Sequence, residues 1–249
     1  MAKTKKTIVA GALVVEAVYP RISPKDSERA RGAKKKLSSD AQKAMNLKLS
    51  WMKLMLMLAA NFRRGDTVAE VDFRKELEPK SKAEADAKLK AFRKRLRDYR
   101  RRKGQRLVMF WSPEHRHGDG HWHYHIVMNS CGEDINTLLR LWGYGRFETK
   151  PLRLDKEKGY ESLARYMCKE QPDRVGARTW SYTRGAAKPD PPDLCRVDDD
   201  YSLQAPRGSR VLREAAESTE YGRYRVLMYL APGWDGQAKA RPIQKRKRR

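Results

Sequence analysis

The chain has 249 residues, of which 56 are Lys or Arg and 31 are Asp or Glu, a formal net charge of +25. Hydrophobic residues make up 39%, enough for a core and too many for a wholly disordered chain. A charge this one-sided opposes compaction, exceeds what a soluble surface needs, and calls for a polyanionic partner, nucleic acid before an acidic membrane.

The first stretch, MAKTKKTIVAGALVVEAVYP, has a basic start and an apolar run. Glu16 interrupts that run and no small-residue cleavage site follows, so a short strand or hairpin is expected rather than a signal peptide. No segment reaches the length of a membrane span. Residues 21–37 are charged and punctuated by Pro and Gly, which predicts a linker. Ser38, Ser39 and Asp40 offer an N-cap for a helix to about Ala60, with Met45, Leu49, Met52 and Leu56 as its core stripe.

TVAEVDF (67–73) has strand character. Ser81 and Glu84 form a capping box for a helix whose apolar face is Leu89, Phe92, Leu96 and Tyr99. Its other face, from Lys88 to Lys103, is crowded with Lys and Arg and is a candidate for phosphate contact. RLVMFWS (106–112) and HWHYHIVM (121–128) are expected as strands flanking a turn. A short helix over 135–142 and a strand over 144–149 follow. GYESLARYMCKE (159–170) is a helix closed by Pro172. RTWSYT (178–183) and GRYRVLMYL (222–230) have strand character, and the Pro- and Asp-rich 188–202 between them predicts loop. The tail ARPIQKRKRR is a basic arm. Cys131, Cys168 and Cys195 are odd in number and too dispersed for a zinc site or disulfide framework, which favours a reducing cytoplasm. The order predicts an α+β fold: a central antiparallel sheet of about five strands with flanking helices, ferredoxin- or RNA-recognition-like, with basic N- and C-terminal extensions. The expected division is 1–37 as extension, 38–66 as amphipathic helix and lead-in, 67–230 as the main domain and 231–249 as tail.

All five histidines, His115, His117, His121, His123 and His125, fall within HRHGDGHWHYHI. On a strand, His121, His123 and His125 share a face while Trp122, Tyr124, Ile126 and Met128 face a core. The two-histidine helical pattern of metalloproteases is absent, and no cysteine is near enough for a structural zinc site. Glu114, at the end of the preceding strand, would complete a two-histidine, one-carboxylate set suited to a divalent ion that polarises a phosphate. His115 and His117 sit in the turn and are expected to be exposed. In the 159–170 helix, Tyr160, Leu163, Ala164 and Met167 form the buried stripe. Tyr166 lies off it with Lys169 near the same side, an arrangement open to a nucleophilic tyrosine.

HWHYHIV resembles the histidine-hydrophobe-histidine motif of the HUH endonucleases, and ARYMCKE resembles their Tyr-x-x-Lys motif. NFRRGD (61–66), WHYHIVMN, the YGRF segment and TRGAAKP (183–189) resemble one branch, the bacterial and phage rolling-circle replication initiators, or Rep proteins. The resemblance implies His123, His125 and Glu114 as ligands of Mg2+ or Mn2+, Tyr166 as nucleophile and Lys169 as positioner of the phosphate or metal. It implies DNA contacts at Arg165, Arg178, Arg184 and Lys188, and no defined role for His121 beyond an outer-shell or DNA contact. The implied activity is nicking and rejoining of single-stranded DNA at a replication origin, through a 5′-phosphotyrosine link and a free 3′-hydroxyl. Host helicase and polymerase are the implied partners, since the chain shows no helicase motif. Two alternatives remain open: a non-catalytic nucleic-acid-binding module on an RNA-recognition-like sheet, and a transposase or relaxase with the same chemistry.

Overall fold

Alternating β-branched and charged residues build strands along both halves of the chain, and Gly or Pro punctuates them. The computed structural model describes residues 3–20, 39–115, 120–170, 178–219 and 222–233. Within these lie ten strands and four α-helices, arranged as two antiparallel five-stranded sheets: an α+β protein. The described chain groups into two compact units, residues 1–60, 155–161 and 188–249, and residues 61–154 and 162–187. The basic arm at 240–249, Pro172, His117 and most of the 21–37 linker lie outside the described residues, as does all of the turn at 116–119. No described helix is long and apolar enough to cross a membrane.

The first unit is built on the N-terminal hairpin, β1 (Lys3–Ala10) and β2 (Leu13–Pro20). Its turn needs Gly11: φ is +58°, and a Cβ there would lie 2.2 Å from the Ala59 carbonyl oxygen. Far from extending outward, the hairpin occupies the middle of a sheet ordered β8-β1-β2-β10-β9, where β8 is Asp193–Val197, β9 Arg210–Thr219 and β10 Gly222–Leu230. β8 falls inside the stretch that composition assigns to loop. It is an exposed edge strand, so no buried face imposes alternation on its sequence, and only pairing with β1 makes it a strand. Val14, Leu227, Tyr229 and Ala231 form one apolar cluster of this unit. On the face with Val14, Lys5 bridges Glu16 at 2.7 Å and the Tyr201 hydroxyl at 2.9 Å. Helix α1 (Ser39–Asn61) does not bury the expected stripe: Met45 and Leu49 are exposed, while Trp51, Leu54, Met55, Met57 and Leu58 are buried.

The second unit has the sheet order β6-β3-β5-β4-β7. Here β3 is Thr67–Val71, β4 Met109–His115, β5 Trp122–Met128, β6 Phe147–Pro151 and β7 Ser181–Tyr182. One face carries the core: Ala69, Val71, Met109, Trp111, Tyr124, Ile126 and Met128 pack with Leu89, Phe92 and Leu96 of α2 (Lys82–Arg102) and Leu138 and Trp142 of α3 (Ile135–Trp142). Ser81 caps α2 by accepting from the Glu84 amide at 3.3 Å, as the capping box predicts. The buried stripe of α2 ends on Arg100 rather than Tyr99. Part of its basic face is structural: Arg95 donates to the Leu141 and Trp142 carbonyls, and the Arg93 guanidinium lies 3.8 Å from the Trp111 ring centre. Tyr124 on β5 donates to Asp86 of α2 at 2.7 Å, and burial with that carboxylate pushes its phenol far above the usual range. The histidine strand is thereby fixed to the helix behind it.

The YGRF segment shows why a glycine stands at 145. A Cβ there would lie 2.4 Å from the Asp72 carbonyl oxygen and 2.7 Å from the Arg74 nitrogen, both backbone atoms that cannot swing aside. The same crossing is closed by the bonds Arg74 N to Tyr144 O (2.9 Å) and Asp72 N to Arg146 O (3.2 Å). Gly145→Ala is expected to force these apart at a cost of roughly 1–3 kcal/mol, read as a lower thermal midpoint of the full chain with its secondary structure retained.

Candidate functional site

The face of the second sheet opposite its core is polar at its centre. Antiparallel pairing sets Glu114 of β4 opposite His123 of β5, Ser112 opposite His125, and Glu70 of β3 opposite His125. Alternation then carries all five side chains to one side while Tyr124 and Ile126 enter the core, as the strand pattern predicts. His123, His125 and Glu114 are buried. Glu114 Oε2 meets His125 Nε2 directly. Glu70 lies on the other side of the rings, its Oε1 3.9 Å from His123 Nδ1 and its Oε2 3.6 Å from His125 Nδ1.

Helix α4 (Glu161–Met167) brings the tyrosine and lysine to the same place. Ala164 and Met167 are buried, whereas Tyr166 keeps 43% of its surface exposed. Its ring stands edge-on to His125, with centroids 4.6 Å apart. Lys169 Nζ is 2.8 Å from Glu114 Oε1 and 4.4 Å from the Tyr166 ring centre. Partial burial works against charge on both partners of that ion pair, but the contact outweighs it. Glu114, which also meets His125, is held below the usual carboxylate range and Lys169 above the usual ammonium range. Partial burial pushes the Tyr166 phenol up, with Glu70 and Glu114 adding to the shift and Lys169 opposing it.

The structure thus gathers His123, His125, Glu114, Tyr166 and Lys169 into one cluster. His121 stands apart, half exposed, with Nδ1 3.4 Å from Glu78. His115 stacks near Trp122 at 4.4 Å, and its Nε2 bonds the Gly120 carbonyl at 3.0 Å. Arg165, Arg178 and Arg184 are exposed, and Lys188, also exposed, belongs to the other unit. Glu70 is the residue that sequence reading did not single out; only the register of β3 against β5 brings it to the histidines. Beside Tyr166 and His125 a cleft of about 130 Å3 opens between α4 and edge strand β6, floored by Val68 and Val127, with Lys150 and Leu163 among its lining. Among the described residues, no group of three or more His, Cys, Asp and Glu side chains is arranged so as to hold a metal ion. The direct contact of Glu114 with His125 occupies the nitrogen that a ligand position would use.

The Glu114 shift has a testable sign. A carboxylate whose pKa is lowered by folding adds stability that is present above its ordinary value, 4.5, and lost as pH falls through its lower folded value. With a chelator present, Glu114→Gln is expected to unfold at a lower temperature than wild type near neutral pH. The gap should narrow as pH drops below about 4.5. A gap independent of pH would separate Glu114 from any such charge effect.

An antiparallel sheet with paired histidines on one strand, faced by a helix-borne tyrosine and lysine, is the arrangement that the HUH resemblance implies. Residues 73–171 match the family of replication-associated proteins of the ORF2 type, consistent with a rolling-circle replication initiator of the Rep class. The match begins just after β3 and spans α2 to α4 with the histidine strand. No curated protein and no solved structure matches the chain significantly.

Proposed function

We propose that this protein is a site-specific single-stranded DNA nickase and ligase that initiates rolling-circle replication through a 5′-phosphotyrosine intermediate. The observation that carries the reading is the meeting of Tyr166 and Lys169, from one helix, with His123, His125 and Glu114, from two strands, on one sheet face. A binding module has no need of that convergence.

The donor chemistry fits a divalent ion: two imidazoles and a carboxylate on adjacent strands, on the face that also carries the tyrosine. A Mg2+ or Mn2+ ion held by His123, His125 and Glu114 would supply Lewis-acid polarisation of the scissile phosphate and displace the proton shared by Glu114 and His125. Tyr166 Oη forms the new bond to phosphorus, and the bond from phosphorus to the 3′ oxygen breaks. The phenol gives up its proton to water, and the departing oxygen takes one to become the 3′-hydroxyl that a host polymerase extends. Lys169, kept cationic by Glu114, lies where it favours a phenolate and accepts the charge of the phosphate. Because the phosphodiester energy is conserved in the adduct, attack by a 3′-hydroxyl rejoins the strand without a nucleotide cofactor. The cleft beside Tyr166 offers an unpaired nucleotide an apolar floor, with Lys150 at its edge for a neighbouring phosphate. Arg165, Arg178, Arg184 and Lys188 add phosphate contacts along the strand, and a host helicase or negative supercoiling opens the origin.

The test is a denaturing gel of the full chain incubated with Mn2+ and pooled single-stranded oligonucleotides labelled at the 3′ end. A slow, denaturation-resistant band carrying the label is the expected result. Firm binding of the same pool without any such band would favour the binding-module reading.

A further inference from the structure

Glu70 lies outside the residues of the family match and outside the motifs legible in the sequence. Its position is nonetheless singular. It sits on β3 in register with His125, and its two oxygens are divided between two rings: Oε1 faces His123 Nδ1 at 3.9 Å and Oε2 faces His125 Nδ1 at 3.6 Å. These are ion-pair rather than hydrogen-bond distances. They still settle which way each ring is turned. Both imidazoles direct Nδ1 towards β3, so both direct Nε2 away from it, and on His125 that nitrogen is the one that meets Glu114.

A surface ion pair would contribute little and would order nothing. Here the imidazoles are buried, at 5% exposure each, and share one carboxylate. A negative charge on the Nδ1 side favours the tautomer with its proton on Nδ1, which leaves the Nε2 lone pair available as a ligand or acceptor. Glu114 cannot do this, because it stands on the Nε2 side.

We infer that Glu70 is a positioning residue that orients both histidines through their Nδ1 side and so presents the two Nε2 atoms to the ion and phosphate of the proposed site. The inference rests on the proposed function for what Nε2 meets, but the orientation itself belongs to the metal-free protein and is measured there. The chain holds only five histidines, so long-range proton–nitrogen correlation spectra of the 15N-labelled full chain can resolve the ring nitrogens. At a pH where imidazoles are neutral and with chelator present, wild type is expected to show two rings protonated on Nδ1, which vanish in His123→Ala and His125→Ala respectively. Glu70→Ala is expected to move both towards the Nε2-protonated form. Titration with Mn2+ should then show about 10- to 100-fold weaker binding.

Glu70→Gln keeps the shape and loses the charge, and guards against an alanine variant that fails to fold. It is expected to weaken Mn2+ binding by less than alanine while keeping the amide spectrum of wild type. Ring signals unchanged in either folded variant would overturn the inference, and if Mn2+ binding fell all the same, Glu70 would be a direct ligand. Wild-type affinity in Glu70→Gln would overturn it too. If wild type forms no DNA adduct but the ring signals respond to Glu70, the proposed function fails and the orientation stands.

Discussion

Tyr166→Phe is expected to abolish the covalent protein–DNA band while leaving the fold and single-strand binding in place. The substitution removes one oxygen from a ring that is 43% exposed, so no buried contact is lost and no cavity opens. The edge-on contact with His125 and the lysine over the ring face are made by ring carbons, and phenylalanine keeps them. Loss of a nucleophile in a concerted cluster lowers turnover by at least about a thousandfold, far more than loss of any DNA-contacting arginine. His123→Ala is the informative companion: it leaves the phenol intact and should also remove the band, through the ion rather than the attacking atom. Two other tyrosines near this fold's sequence motifs offer no substitute. Tyr124 is buried on the opposite face and bonded to Asp86, and Tyr160 is buried. An adduct persisting in Tyr166→Phe would therefore overturn the assignment of the nucleophile, and with it the role given to Lys169.

The histidine strand was legible because its pattern is local. Period-two alternation assigns Tyr124, Ile126 and Met128 to the core and His123 and His125 to the opposite face without reference to any other segment, and Glu114 follows from hairpin pairing. Tyr166 was legible for the same reason, as the residue off a helical stripe. Glu70 was not, because its place depends on the register between strands distant in sequence, which no local period encodes. Helix α1 fails differently. From Trp51 to Ala59 it is apolar almost all round, so the stripe through Met52 and Leu56 and the one through Trp51, Leu54, Met55 and Leu58 are equally helical. The burial is decided by tertiary packing, which favours the second stripe and leaves Met45 and Leu49 exposed. The N-terminal hairpin was legible as an element but not as the middle of a sheet, since its partner strands lie at the other end of the chain.

Glu133→Ala is expected to destabilise the second unit by roughly 3–5 kcal/mol, because it leaves a fully buried guanidinium without its carboxylate. Arg100 is 0% exposed at the end of α2. Its Nε donates to Glu133 Oε1 at 2.5 Å and its Nη2 to Glu133 Oε2 at 3.0 Å, a bidentate pair. Nη1 donates to Asn129 Oδ1 at 2.8 Å and Nη2 to the Asn129 carbonyl at 2.9 Å. Asn129 in turn accepts from the Val108 amide at 2.8 Å and donates to the Arg106 carbonyl at 3.0 Å. One side chain thus ties the helix end to the start of β4 and the end of β5, the hairpin whose far end carries Glu114 and His123. The size of the loss measures the stranded charge rather than the worth of the pair. Arg100→Met together with Glu133→Leu removes both charges, keeps volume, and is expected to recover most of the stability lost by Glu133→Ala alone. Hydrogen exchange of the α2 and β5 amides reads this directly, without assuming that two units unfold as one. If the double variant is instead as exchange-labile as the single one, the polar network itself, with its fixed geometry around Asn129, holds the hairpin to the helix. In that case the apolar pair should also misplace Glu114 against His123, and the double variant should lose Mn2+ affinity although no residue of the site has been touched.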